Sequence, residues 1–206
     1  MNRSSLKAAA AAAALSIGAA HAASASYVLD TSLAPGFSSG VDYGDIALTQ
    51  DGANVDIDVL LSPGFDFVKT GNHTAFTFDI AGAAGYTVTN IISNKYGWIV
   101  GASNPALGSF TDGLACAKCA KGGKGAFTDE LQFTVTGVSL ADFVENARGY
   151  SFSADVINLA TGNTGAVAAG APVTPAATSV AEPTSFSLML AALAGIGFVA
   201  RRRRHD

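Results

Sequence analysis

Histidine is nearly absent from this chain. His21 stands close to the N-terminus and His205 is the penultimate residue, so only His73 lies in the body of the sequence. A lone histidine leaves little for general-base work. No G-x-S-x-G elbow, H-E-x-x-H pair or phosphate-cradling glycine loop stands beside it. Cysteine is scarcer still, with Cys116 and Cys119 as the whole complement. Four ligands make a structural zinc site, and a single C-x-x-C with no second pair does not supply them. Basic side chains are also few. Between Ser26 and Ala181 there are 6 Lys/Arg against 14 Asp/Glu, a net charge of −8, whereas the whole-chain figure of −4 includes the basic residues at the two ends. So acidic a body has nothing to offset phosphate repulsion, which excludes nucleic-acid binding. It suits a soluble extracellular module.

The two ends have a different composition. Arg3 and Lys7 form a small positive region, Ala8 to Ala20 is apolar, and Ala20-His21-Ala22 and Ala23-Ser24-Ala25 each offer an A-x-A cleavage site. This order is that of a secretory signal peptide, expected over residues 1–25. At the other end, Glu182-Pro183 opens an uncharged run over 184–200, closed by Arg201, Arg202, Arg203 and Arg204. A helix of that length spans roughly 25 Å, short but sufficient for a bilayer. Arginine is costly at the membrane centre and is drawn to the cytoplasmic side, so the cluster fixes the C-terminus inside. Residues 166–181 are uncharged and rich in alanine, threonine and valine, with Pro172 and Pro175 spaced along them, which reads as a linker.

A cleavable leader paired with Glu-Pro, a short Gly-containing apolar helix and terminal arginines resembles the PEP-CTERM protein-sorting signal of Gram-negative bacteria. Ala181 replaces the first proline of the usual tripeptide. The resemblance covers only residues 182–206. It implies recognition by an exosortase, a membrane-embedded cysteine transpeptidase, with transient inner-membrane anchoring and cleavage near Glu182-Pro183. Delivery to the cell surface or an exopolysaccharide matrix would follow. A permanent single-pass anchor shares the orientation and is the plain alternative.

Between these ends, 26–165 form one expected domain. Val55–Val59, Phe76–Ile80 and Leu131–Thr136 alternate apolar and polar residues, as strands with one buried face do. Further strand candidates are Asp45–Gln50, Tyr86–Ile92, Gly97–Gly101 and Tyr150–Asn158, separated by turn signals such as Asp51-Gly52, Pro63-Gly64 and Gly71-Asn72. The expectation is an all-β antiparallel sandwich of 7–9 strands, immunoglobulin- or cohesin-like, with one helical turn after the capping-box sequence Ser139-Leu140-Ala141-Asp142.

Candidate functional residues are few. Cys116-Ala117-Lys118-Cys119 has the spacing of a redox centre, half a zinc site or a local disulfide, and export to an oxidising compartment favours the disulfide. Lys118, Lys121 and Lys124 make that loop a cationic tip, read either as a contact for anionic polysaccharide or as a solvated hairpin end. Asp56 and Asp58 share a strand face, with Asp51 and Asp66 flanking the region. Such carboxylates suit a Ca²⁺ site or a glycosidase pair, although alternation alone already turns them to water. Trp98 with Tyr96 reads as a sugar-stacking platform or as core. The reading these residues favour is a non-enzymatic surface module without cofactor, binding exopolysaccharide or other surface proteins. The alternatives are a secreted carbohydrate-active hydrolase and a cohesin-like adhesion module.

Overall fold

The computed structural model describes residues 23–82, 84–92, 95–116, 122–125 and 128–173, without the side chains at 123 and 124. The chain falls into two compact units, Met1–Pro172 and Val173–Asp206, and the fold below belongs to the first. The expected signal helix, the linker from 174 on, the membrane helix at 184–200 and the arginine cluster all lie outside the described residues. Among the described residues no helix is long and apolar enough to cross a membrane.

The strands run in the order β1 (Ser24–Val28), β2 (Thr31–Ser32), β3 (Gly44–Asp51), β4 (Asn54–Leu61), β5 (Phe65–Phe67) and β6 (Phe76–Phe78). Then follow β7 (Thr87–Thr89), β8 (Tyr96–Asn104), β9 (Gly108–Cys116), β10 (Glu130–Thr136), β11 (Phe152–Asn158) and β12 (Thr164–Ala169). They make two antiparallel sheets. One has the order β1-β3-β4-β10-β7; the other has the order β2-β12-β11-β6-β9-β8, with β5 also paired to β11. The all-β sandwich expected from alternation is what forms. It has more than the expected 7–9 strands because β1 begins in the region read as leader, β12 runs into the one read as linker, and β2 and β5 are too short to show a period. Gly113 interrupts the pattern of β9 in the same way.

In the five-stranded sheet, sequence alternation maps directly onto burial. Ile46, Leu48, Val55, Ile57, Val59, Leu131, Phe133 and Val135 face inward, and Ala47, Thr49, Asp56 and Asp58 face out. The β3–β4 turn is set by Gly52 at φ +58°, a left-handed conformation that glycine adopts without penalty. Between the sheets the core is aromatic. Phe76 lies 5.9 Å from both Phe152 and Phe133, and Phe78 stacks on Phe133 at 5.6 Å. The helical turn expected after Ser139 forms at Leu140–Asp142, with Ser139 N donating to Asp142 Oδ2 at 2.7 Å.

The seven-stranded sheet differs, because both of its faces are covered around β11. The far end of the β8–β9 hairpin folds over the outside. There Leu107 packs against Ala166 and Ala168, and Asn104 Nδ2 donates to Ser153 Oγ at 2.5 Å. Gly113 allows this close approach: a Cβ there would sit 2.7 Å from Ala102 Cβ and from the carbonyl oxygen of Phe76. Ser153 and Asp155 alternate with apolar residues as if wet, yet both are fully buried. Two expected boundaries also move. β1 begins at Ser24, inside the region assigned to the leader, and pairs Ser24 with Thr49. β12 continues to Ala169, where it pairs with Phe152, so the domain extends past 165 into the segment read as linker.

Candidate functional site

The outer face of the five-stranded sheet carries a shallow concavity of about 350 Å³. The ladder builds it. Asp56 stands between Thr49 and Thr134 on the neighbouring strands, and Asp58 between Ala47 and Gln132. Thr134 Oγ1 donates to Asp56 Oδ1 at 2.7 Å, and Asn90 Nδ2 reaches Thr134 Oγ1 at 3.3 Å. Asn90 closes one side from φ +51°, the left-handed region, the sole non-glycine residue there among those described. Ile92, bonded through its N–H to the Gln132 carbonyl, adds an exposed apolar rim. Amide, hydroxyl and carboxylate groups around an apolar floor can exchange paired hydrogen bonds with sugar hydroxyls.

Sequence reasoning placed Asp56 and Asp58 together correctly, while Asn90, Gln132 and Thr134 join them only through strand pairing. Both aspartates project in parallel from one exposed strand rather than facing each other across a cleft. Among the described residues no three His, Cys, Asp or Glu side chains converge as a metal site. Asp56 and Asp58 therefore have no third acidic ligand for Ca²⁺. Asp51, at the end of β3, and Asp66, on β5, do not line the concavity.

A second feature escaped the sequence entirely. On β11, Val156 opposes Phe67 and Ala154 opposes Phe76. Two positions along β11 thus correspond to nine along the chain, so seven residues leave the sheet and return. Asp155 sits at the mouth of this excursion. Its backbone accepts from Val68 N and donates to Ala75 O. Its carboxylate accepts from Thr70 N at 2.6 Å and from Thr70 Oγ1 at 2.7 Å. His73 Nδ1 approaches Asp155 Oδ1 at 3.3 Å, close enough for electrostatic attraction but without an aligned hydrogen bond. Burial pushes the Asp155 carboxyl up to about 6, while the Thr70 bonds and His73 act in the opposite direction.

Tyr96 and Trp98 form no common platform. Tyr96 is buried; its hydroxyl has no hydrogen-bond partner, and burial together with the charge of Asp66 pushes it up to about 12. Trp98 Nε1 donates to the buried Asp112 at 2.7 Å, and the same carboxylate accepts from Tyr86 OH at 2.6 Å. Trp98 thereby pairs with Tyr86 at 6.2 Å and packs against the core. Cys116 ends β9 as a buried residue, while Cys119, Lys118 and Lys121 lie outside the described residues and Lys124 falls in a 3-10 turn at Gly122–Gly125. That turn is latched to the excursion, since Gly122 N donates to the Lys69 carbonyl at 2.9 Å.

That concavity does not indicate where the protein works, and the C-terminal tail does. Residues 179–204 match the PEP-CTERM protein-sorting motif. The match coincides with the Glu-Pro, apolar and arginine segment, and a PEP-CTERM tail marks an exported protein that is an exosortase substrate. The match stops at the tail, and the β domain carries no family assignment. No curated protein and no solved structure matches the chain.

Proposed function

We propose that the protein is a non-enzymatic surface module, released from its PEP-CTERM tail by an exosortase into the cell-surface or exopolysaccharide layer of a Gram-negative bacterium. There it binds glycan through the outer face of its five-stranded sheet. The observation that carries this reading is the polar concavity formed by Asp56, Asp58, Asn90, Gln132 and Thr134, on a sheet face that no described residue covers. Hydrolysis is the weaker reading, because a glycosidase places two carboxyls on either side of the scissile bond and tunes their environments apart. Here both stand exposed on one strand. The same reading takes Cys116 and Cys119 as a local disulfide. Export to an oxidising compartment supports that pairing, and Cys119 is the chain's only other cysteine.

Two experiments test it. The full chain in detergent, applied to a glycan array and to a panel of glycosidase substrates, should bind without turnover; turnover abolished by Asp56→Ala would establish the hydrolase instead. Mass spectrometry of the protein from its native surface should find a chain beginning at Ala23, lacking Arg201–Arg204, with Cys116 and Cys119 joined. Cleavage after Ala22 leaves β1 whole, whereas cleavage after Ala25 would remove residues that pair with Thr49 and Leu48. Persistence of the Arg201 peptide in the surface-associated protein contradicts the sorting reading.

A further inference from the structure

The excursion that leaves the sheet between β5 and β6 carries Lys69 and His73, on a domain whose net charge is −8. All five lysines between Ser26 and Ala181 fall at one of three places: Lys69 in the excursion, Lys95 just before β8, and Lys118, Lys121 and Lys124 in the segment after Cys116. The register brings Lys95 beside the end of β9, because Tyr96 pairs with Cys116 at the open end of the β8–β9 hairpin. Lys69 Nζ donates to the Cys116 carbonyl at 3.3 Å, and the Lys69 carbonyl accepts from Gly122 N. Among the described residues, Lys69 and Lys95 therefore come to one end of the domain, where β9 finishes in Cys116.

That end also holds a cleft of about 360 Å³, lined by Lys69, Asn72, His73, Thr74, Ile99 and the end of β9 at Cys116. The size suits one sugar residue rather than a flat protein surface. The ammonium of Lys69 keeps donors beyond the one given to Cys116, and the exposed Asn72 amide adds more. Asp155, the carboxylate beside His73, is fully buried and turned onto Thr70, so it does not face the cleft as an acceptor. His73 stands between that carboxylate and the cleft. The excursion is held in place at its root, since Asp155 bonds both its entry and its exit strands, which fixes Lys69 and His73 before any ligand arrives.

We infer that this cleft is a second glycan site, selective for the carboxylate of an acidic sugar in a polyanionic polysaccharide and centred on Lys69, Asn72 and His73. It rests on the surface-display reading for its ligand class but not on the Asp56 face. The two sites would let one module hold neutral and acidic stretches of a matrix polymer together.

The test uses the full chain in detergent, with polygalacturonate and its fully methyl-esterified form as probes. The acidic polymer should bind, the ester should not, and salt near about 0.5 M should weaken binding by screening. Lys69→Gln should weaken polygalacturonate binding about tenfold, with thermal stability unchanged, and Lys69→Arg should restore most of it. Asp56→Ala should leave this binding intact, which separates failure of this inference from failure of the neutral-glycan face. Equal binding of the ester, or full binding by Lys69→Gln, overturns the inference. So does self-association abolished by Lys69→Gln without polygalacturonate binding, which would make the partner an acidic protein face.

Discussion

Two aspartates occupy the same kind of position, on the outward side of a central strand, and have opposite fates. Asp56 on β4 stays exposed and accepts a single bond from Thr134, whereas Asp155 on β11 is fully buried and accepts from both donors of Thr70, its N–H and its hydroxyl. The residues themselves do not differ. What differs is the cover: among the described residues nothing lies over the five-stranded sheet at Asp56, while the excursion after Phe67 closes over Asp155. The exposed face is free to meet a ligand, and the covered face has become part of the fold. Buried polar groups of that kind persist only when their hydrogen bonds are satisfied, as those of Thr77, Ser153 and Asn104 are.

The comparison breaks most sharply at Asp155. Asp155→Ala strands the Thr70 donors at the root of the excursion and should cost about 2–3 kcal/mol in urea denaturation. A loss below about 0.5 kcal/mol would mean that the excursion is not anchored there.

A smaller effect should appear with pH. The folded carboxyl of Asp155 keeps its proton up to about pH 6, while the unfolded one releases it near 3.8. The folded state therefore binds more protons in that window, and stability declines as pH rises from about 4 to about 6, by on the order of 1–3 kcal/mol, then levels off. Asp155→Asn should remove this slope; a slope of the same size in the variant would assign it elsewhere.

Much of the first sheet could be read from the sequence, because β3, β4 and β10 bury one face and wet the other, and that is what alternation encodes. Applied to β11, the same rule turns Ser153 and Asp155 to water, yet both are buried. A polar residue turned outward looks identical in sequence whether water or a folded-back hairpin lies beyond it. The excursion between Phe67 and Phe76 gave only its Gly71-Asn72 turn, since a chain that leaves a strand and returns to it has no periodic signature. Asp56 and Asp58 were visible as a pair because they are neighbours on one strand. Asn90, Gln132 and Thr134 were not, because strand pairing alone brings them near. Trp98 met Tyr86 rather than Tyr96 for a similar reason: Asp112, on the neighbouring β9, binds both rings. The sorting tail was fully legible, as a linear signal read without folding.

The smallest effect on stability, and the most direct test of the glycan-binding face, belongs to Asp56. Binding of the full chain to a neutral glycan identified on the array should be measured beside urea denaturation for Asp56→Ala. The predicted result is a loss of affinity of about tenfold or more, with stability changed by less than about 0.5 kcal/mol. Unchanged affinity, or a drop in stability as large as that of Asp155→Ala, would contradict the assignment of this face to a ligand.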